Sequence, residues 1–306
     1  MKKSVLIIGY GSIGKRHAKI LSKFKDIGKI YVLTKQNCKK FYKVKALNEI
    51  KKINPNYIII ASRTTKHFKH LSYIEKNFKK KIILVEKPIF EKYKKLKIYN
   101  NKVFVGYNLR YHPLINFIKN FIKNKKIFST IINCQSYLPS WRKNIIYSKS
   151  NSAKKAHGGG VLLELSHEID YLQWIFKRIT NLNYAIVKKV SNLKINTEDY
   201  ASIIGKTLGT DFCMNLNFFS FHTQRQIAIN GKDFSLKGDL IKNTITIFEK
   251  KKERLKTFKI DENYTYRAQH RSLLNNNYSK SCTYNQGLQL ISIIDKIRKF
   301  KPNVKK

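Results

Sequence analysis

Ser4-Val5-Leu6-Ile7-Ile8-Gly9-Tyr10-Gly11-Ser12-Ile13-Gly14 is the stretch whose reading decides the fold. Val5 to Ile8 is a short, fully apolar run of the kind a strand buried on both faces requires. From Ile13 to Phe24 the apolar residues return at helical spacing, so the three glycines sit between a strand and a helix. In that context G-x-G-x-x-G has a physical meaning. Gly9 permits the tight turn, Gly11 lets a pyrophosphate approach the backbone, and Gly14 lets helix and strand pack closely. The N–H groups of a helix start, here Ser12 and Ile13, favour the phosphate charge. Gly9, Gly11, Ser12, Ile13 and Gly14 are therefore the first candidates for contact with a dinucleotide.

Outward from this motif, short β-branched runs alternate with Lys-rich amphipathic stretches. Lys29 to Leu33, Tyr57 to Ala61, Ile82 to Val85 and Val103 to Val105 read as further strands, and Thr65 to Phe78 as a second helix. Strict strand–helix alternation implies a parallel sheet covered on both faces with right-handed crossovers. The expected fold class is α/β: a Rossmann doubly wound domain over residues 1–113, then an α+β domain with an open antiparallel sheet over 114–306. In the second part, Leu114 to Lys123 and Val161 to Phe176 read as helices. Ile127 to Tyr137, Tyr200 to Thr207, Phe212 to Phe221, Gln224 to Ile229 and Thr244 to Phe248 read as strands, with a turn signal at Asn230-Gly231.

Composition narrows the function classes. The 306 residues are enough for about two domains with their own cores, and 42% hydrophobic with 12% aromatic residues is too apolar for a disordered chain. No apolar run is long enough to span a bilayer or form a signal-peptide core, so the expectation is a cytoplasmic protein without membrane association. Cys38, Cys134, Cys213 and Cys282 lie far apart, which indicates neither a disulfide framework nor a metal site. The 63 Lys plus Arg against 18 Asp plus Glu give +45. That charge is spread along the whole chain together with Ile, Asn, Phe and Tyr, as a codon bias would spread it. Nucleic-acid binders concentrate it, so no specific nucleic-acid partner is expected.

About 20 residues past the glycines, where NAD-preferring sites place an acid on the ribose, stand Thr34 and Lys35. A hydroxyl followed by a cation suits a 2′-phosphate, and NADP is expected in preference to NAD. The fifth strand ends in Glu86-Lys87-Pro88, beyond the carboxyl edge of the sheet, where the nicotinamide would lie. Acidic residues are absent between Glu91 and Glu164, while fifteen Lys and Arg fall there; Glu164, Glu168 and Asp170 then arrive around His167. On one continuous helix Glu164 and His167 are neighbours, and would suit proton transfer. They read equally as the polar stripe of an amphipathic helix.

Taken together, Gly9 to Gly14, Ile58-Ile59-Ile60-Ala61-Ser62-Arg63-Thr64-Thr65-Lys66-His67, Glu86-Lys87-Pro88, Gly106 to Pro113, and Gly158-Gly159-Gly160 leading to His167-Glu168-Ile169-Asp170 resemble, in order and spacing, the Gfo/Idh/MocA oxidoreductases. The resemblance covers essentially the whole chain. It implies NAD(P)-dependent hydride transfer at a sugar or cyclitol carbon, and homo-oligomers formed through the second domain's sheet. It implies that Lys87 orients or protonates the reacting oxygen after a peptide bond that is often cis, that His167 is the acid/base, and that Glu164 stands for the family's helix carboxylate. Ser62, Arg63, His67 and Glu86 become cofactor-side candidates, and Arg110 a substrate-side one. The family commonly has Asp with His four residues later; here Glu precedes His167 by three. Tyr137-Leu138-Pro139-Ser140-Trp141-Arg142 and Tyr147 resemble a branch associated with surface-glycan sugars, so Trp141, Arg142 and Tyr147 are expected at a phosphorylated or nucleotide-linked sugar. The alternative is a non-catalytic NAD(P)-binding regulatory protein on the same fold.

Overall fold

The computed structural model describes residues 2–143 and 145–301. The chain forms two compact units, Met1–Tyr111 with Glu262–Ile291, and His112–Asp261 with Ser292–Lys306. The first break between the units lies between Tyr111 and His112, and residues 262–291, read with the second domain in the sequence, cluster with the first unit.

In the first unit, β1 (Lys3–Ile8), α1 (Ser12–Leu21), β2 (Ile27–Leu33), β3 (Tyr42–Val44), β4 (Tyr57–Ile60), α2 (Thr64–Asn77), β5 (Ile82–Val85) and β6 (Lys102–Val105) follow in sequence. The strands order as β6-β5-β4-β1-β2-β3, all parallel. Val5 to Ile8 and Ile58 to Ile60 are almost completely buried, as expected for strands covered on both faces. The order reverses between β1 and β4, and the crevice beyond the carboxyl ends at such a switch point is where doubly wound sheets bind ligands. The glycine turn after β1 and Ser62 after β4 flank that point.

The second unit begins with α3 (Pro113–Phe121) and β7 (Ile127–Tyr137), followed by 3₁₀ turns at Leu138–Trp141, Tyr147–Lys149 and Lys155–His157. Then come α4 (Val161–Glu164), α5 (Ser166–Phe176), β8 (Ile179–Lys188), β9 (Tyr200–Thr207), β10 (Asp211–Asn217), β11 (Phe219–Gly231), β12 (Phe234–Asp239), β13 (Thr244–Glu249) and β14 (Lys252–Thr257). These eight strands form one sheet, β14-β13-β12-β11-β7-β10-β9-β8. It is antiparallel except for β10 against β7, which run parallel. The expected turn at Asn230-Gly231 is displaced: both pair within β11, and the chain reverses at Lys232-Asp233, where Asp233 takes φ 66°. One face is packed, with Thr130, Ile132 and Cys134 of β7 buried, while Ile131 and Ile204 on the alternate positions are exposed.

The chain then returns to the first unit through α6 (Tyr264–Leu274) and β15 (Cys282–Thr283). β15 adds antiparallel to the β6 edge, and Leu273 and Leu274 join the apolar cluster of Val5, Ile7, Ala18, Tyr57 and Ile59. The last helix, α7 (Tyr284–Arg298), is divided between the units after Ile291.

Candidate active site

In the first unit, Gly9 takes φ 101°, and a Cβ there would meet the Ala61 carbonyl and Ser62 backbone at 2.7 Å. A Cβ on Gly14 would meet the Gly9 carbonyl oxygen at 2.1 Å. These two glycines are demanded by the turn itself. Gly11 is different: a Cβ would meet nothing within 4 Å. Its bare backbone caps the N-terminus of α1 and faces open space, which is what close approach of a pyrophosphate needs. No acid sits in the first turn of α1 to oppose an anion. At the end of β2 the Thr34 hydroxyl accepts the Gln36 N–H at 3.0 Å, and Lys35 is exposed.

Several expected cofactor contacts have other partners. His67 is buried with both ring nitrogens on backbone carbonyls: Nε2 on Ser62 at 3.0 Å, Nδ1 on Pro88 at 3.1 Å and Ile89 at 3.2 Å. Burial lowers its pKa, against the pull of those carbonyls. The imidazole therefore ties the start of α2 to the turn that carries Lys87. The peptide bond between Lys87 and Pro88 is cis, as the resemblance implied. Glu86 turns inward, its Oε1 on His17 Nε2 at 2.9 Å and its Oε2 accepting the Lys87 backbone N–H at 3.3 Å. Ser62 Oγ bonds His70 Nδ1 at 2.9 Å, and burial holds the His70 pKa down to about 4. Arg63 is exposed beside it. Arg110, expected at the substrate, is instead buried; its guanidinium donates to Gln286 Oε1 at 2.8 Å within the same unit. A cation so enclosed is held by satisfied hydrogen bonds rather than presented to a ligand.

In the second unit Leu138, Trp141, Arg142, Tyr147 and Ser152 line one depression. The three residues expected at a substrate are thus brought together. Trp141 is fixed by Nε1 donating to Ser136 Oγ at 2.9 Å and by edge contact with Phe218, while the Arg142 side chain is exposed. Ser152 was not legible in the sequence. It is buried, and its hydroxyl donates to Glu164 Oε1 at 2.8 Å, joining the depression's wall to the helix carboxylate.

The helix expected from Val161 to Phe176 is two helices. Leu165, at φ −98° and ψ 28°, breaks it between Glu164 and His167, so their placement does not follow from a continuous helix. The break follows a forced start: Gly160 sits at φ 111°, and a Cβ there would meet the Glu198 carboxylate at 2.5 Å. Further along α5, Glu168 is completely buried and receives Arg225 of β11 in a two-pronged pair, Nε to Oε1 at 2.7 Å and Nη2 to Oε2 at 3.1 Å. Burial works against the guanidinium charge, yet Glu168 holds its pKa above the ordinary value. The pair clamps α5, and with it His167, to the sheet. Among the described residues no His, Cys, Asp or Glu cluster has the makings of a metal site, and no helix is long and apolar enough to cross a membrane.

The family model described as an oxidoreductase family with an NAD-binding Rossmann fold matches residues 3–102, and its C-terminal alpha/beta domain matches residues 127–303. The chain belongs to the Gfo/Idh/MocA oxidoreductases. No curated protein matches its sequence. Among solved structures, this Gfo/Idh/MocA chain is similar to levoglucosan dehydrogenase in complex with NADH, at 14% identity and TM-score 0.82 over 98% of this chain and 96% of the other. It is also similar to the WlbA dehydrogenase from Bordetella pertussis in complex with NADH and UDP-GlcNAcA, at 15% identity and TM-score 0.76 over 98% and 96%. A third is the UDP-N-acetylglucosamine 3-dehydrogenase GnnA from Acidithiobacillus ferrooxidans, at 13% identity and TM-score 0.76 over 99% and 98%. At these identities the likeness is one of fold.

Proposed function

We propose that this oxidoreductase transfers a hydride between a nicotinamide dinucleotide and a carbon of a sugar or sugar derivative, with Lys87 acting on the reacting oxygen and His167 as acid/base. The observation that carries the reading is the open backbone at Gly11, on a helix start at the switch point of a parallel sheet, with Lys87 on the carboxyl edge of the same sheet. The cofactor supplies the hydride acceptor when bound, with Gly9 to Gly14 holding its pyrophosphate. The protein's own part is to orient the sugar hydroxyl and move its proton. Three similar structures are sugar or nucleotide-sugar dehydrogenases, which supports the substrate class. The Trp141, Arg142 and Tyr147 depression favours a phosphorylated or nucleotide-linked sugar, since a guanidinium fork suits an anion and an aromatic face suits a sugar or base.

The finer reading is NADP over NAD, because Thr34 and the exposed Lys35 follow β2 without a carboxylate. The test is reduction of NAD⁺ and NADP⁺, followed by absorbance, with a panel of free sugars and nucleotide sugars, joined to calorimetry of both cofactors. Turnover with a sugar and tighter NADP(H) binding are expected. Equal or reversed affinities remove Lys35 from the 2′ position, and cofactor binding without turnover on any sugar favours a regulatory protein instead.

The expected homo-oligomer finds support in the open face of the second sheet, where Ile131, Ile204, Phe221 and Phe248 are exposed. Sedimentation velocity of the intact protein is expected to show a dimer or larger species, and Ile131→Lys to shift it toward monomer. A wild-type monomer at micromolar concentration rules this out.

A further inference from the structure

Beside the Lys87 turn, four buried titratable side chains stand in line. Tyr57 Oη lies 3.0 Å from His270 Nδ1, His270 Nε2 lies 2.9 Å from His17 Nδ1, and His17 Nε2 lies 2.9 Å from Glu86 Oε1. Tyr57, His17 and His270 are each 0% exposed and Glu86 is 7% exposed. They come from β4, α6, α1 and the end of β5, so the line crosses the first unit from its core to the residue before Lys87. A Cβ on Gly106 would meet Glu86 Oε1 at 2.8 Å, which leaves the carboxylate little room to turn away.

Counting protons distinguishes the possible states of this line. If His17 were an imidazolium, its Nδ1–H would donate to His270 Nε2, and His270 Nδ1–H would donate to the Tyr57 oxygen. The Tyr57 O–H would then be a buried donor with nothing to bond, and a second charge would lie in the core. If both imidazoles are neutral with the proton on Nε2, Tyr57 donates to His270, His270 to His17, and His17 to Glu86. Every donor is then satisfied, and the only charge is the carboxylate, which also accepts the Lys87 N–H. Burial agrees, pushing the His270 pKa well down and the Tyr57 pKa well up.

We propose that Tyr57, His270, His17 and Glu86 form a one-directional hydrogen-bond relay that fixes the Glu86 carboxylate under the Lys87 backbone, making Glu86 and His17 positioning residues for Lys87. The inference rests on the reading of Lys87 given above. Glu86→Gln tests it. A carboxamide offers one oxygen where two N–H groups converge, from His17 and Lys87, so one bond must fail. The Lys87 bond is the longer, and reversing the relay would orphan the Tyr57 proton. The amide nitrogen therefore faces Lys87, and the relay keeps its direction.

The experiment is ¹⁵N NMR of histidine-labelled wild type and Glu86→Gln, with steady-state kinetics and cofactor titration of both. His17 and His270 are expected as Nε2–H tautomers in both proteins at about pH 8, where an ordinary imidazole is neutral. In the variant, kcat is expected to fall about tenfold or more, with the cofactor Kd within about threefold. Unchanged tautomers show that the fold and relay survive, so the kcat loss reports the position of Lys87. An imidazolium or an Nδ1–H tautomer at either histidine in the wild type overturns the relay, and wild-type kcat in Glu86→Gln overturns the positioning role. Lys87→Met separates the two readings. If it abolishes turnover while Glu86→Gln does not, only this inference fails; if it too keeps full turnover, the reading of Lys87 fails with it.

Discussion

Lys87→Met is expected to lower turnover by about 10² to 10⁴-fold, the usual contribution of a positioned acid or base, while cofactor affinity stays close to that of the wild type. The separation follows from where the groups lie. Pyrophosphate binding is assigned to the glycine turn after β1, whose bare Gly11 backbone needs nothing from the strand end that carries Lys87. Methionine keeps the length and apolar stem of the lysine and removes only the ammonium. His167→Ala belongs to the same series and is expected to lose most of the activity. Glu164→Gln is expected to lose less, as its Oε1 is held by the Ser152 hydroxyl and a carboxamide oxygen can accept the same bond. Steady-state kinetics with calorimetry of cofactor binding read all three variants. Full turnover in Lys87→Met removes that residue from the mechanism.

Arg225→Met is expected to destabilise the second unit by about 3 to 5 kcal/mol, the typical result of stripping the partner from a buried charge. Glu168 is 0% exposed, and both of its oxygens are taken by the Arg225 guanidinium, so the variant leaves a carboxylate in the core without its cation. The chain's two tryptophans, Trp141 and Trp174, both lie in the second unit, so their fluorescence during urea unfolding follows that unit rather than the first. Arg225→Met with Glu168→Leu is expected to recover most of the loss, because replacing both members of a buried pair with apolar groups removes the uncompensated charge. A loss below about 1 kcal/mol in the single variant would place the pair among ion pairs that contribute little.

The elements that were legible share one property, that their burial is written in local periodicity. Val5 to Ile8 and Tyr57 to Ile60 are apolar without interruption, and β7 and β9 begin and end where the sequence places them. Elements without that signature were missed. Every residue of β14 is exposed on a sheet edge, and β3 is three residues long with two exposed. Helix α6 buries Thr265, Gln269 and His270, polar residues that no hydrophobic pattern announces.

The candidate site divides the same way. The positive φ of Gly9 and Gly160 and the contact of Gly14 with the Gly9 carbonyl are local backbone requirements, of the kind a glycine in the sequence announces. Lys87 was legible because a strand end and a following proline single it out among many lysines. His17, three residues past Gly14, carried a faint signal as a histidine on the inner face of α1. Its partner His270 lies 253 positions away and carried none. Likewise nothing local foretold that Ser152 would meet Glu164, that Arg225 would clamp Glu168, that Arg110 would be buried against Gln286, or that residues 262–291 would return to the first unit. The sequence by itself determined the parallel sheet, the glycine turn after β1 and the family, because each is written in a local pattern of apolar runs, helical spacing and glycines. Only the tertiary structure decided which polar groups meet in the interior, because a buried donor must find its acceptor wherever the fold brings one, at any separation along the chain.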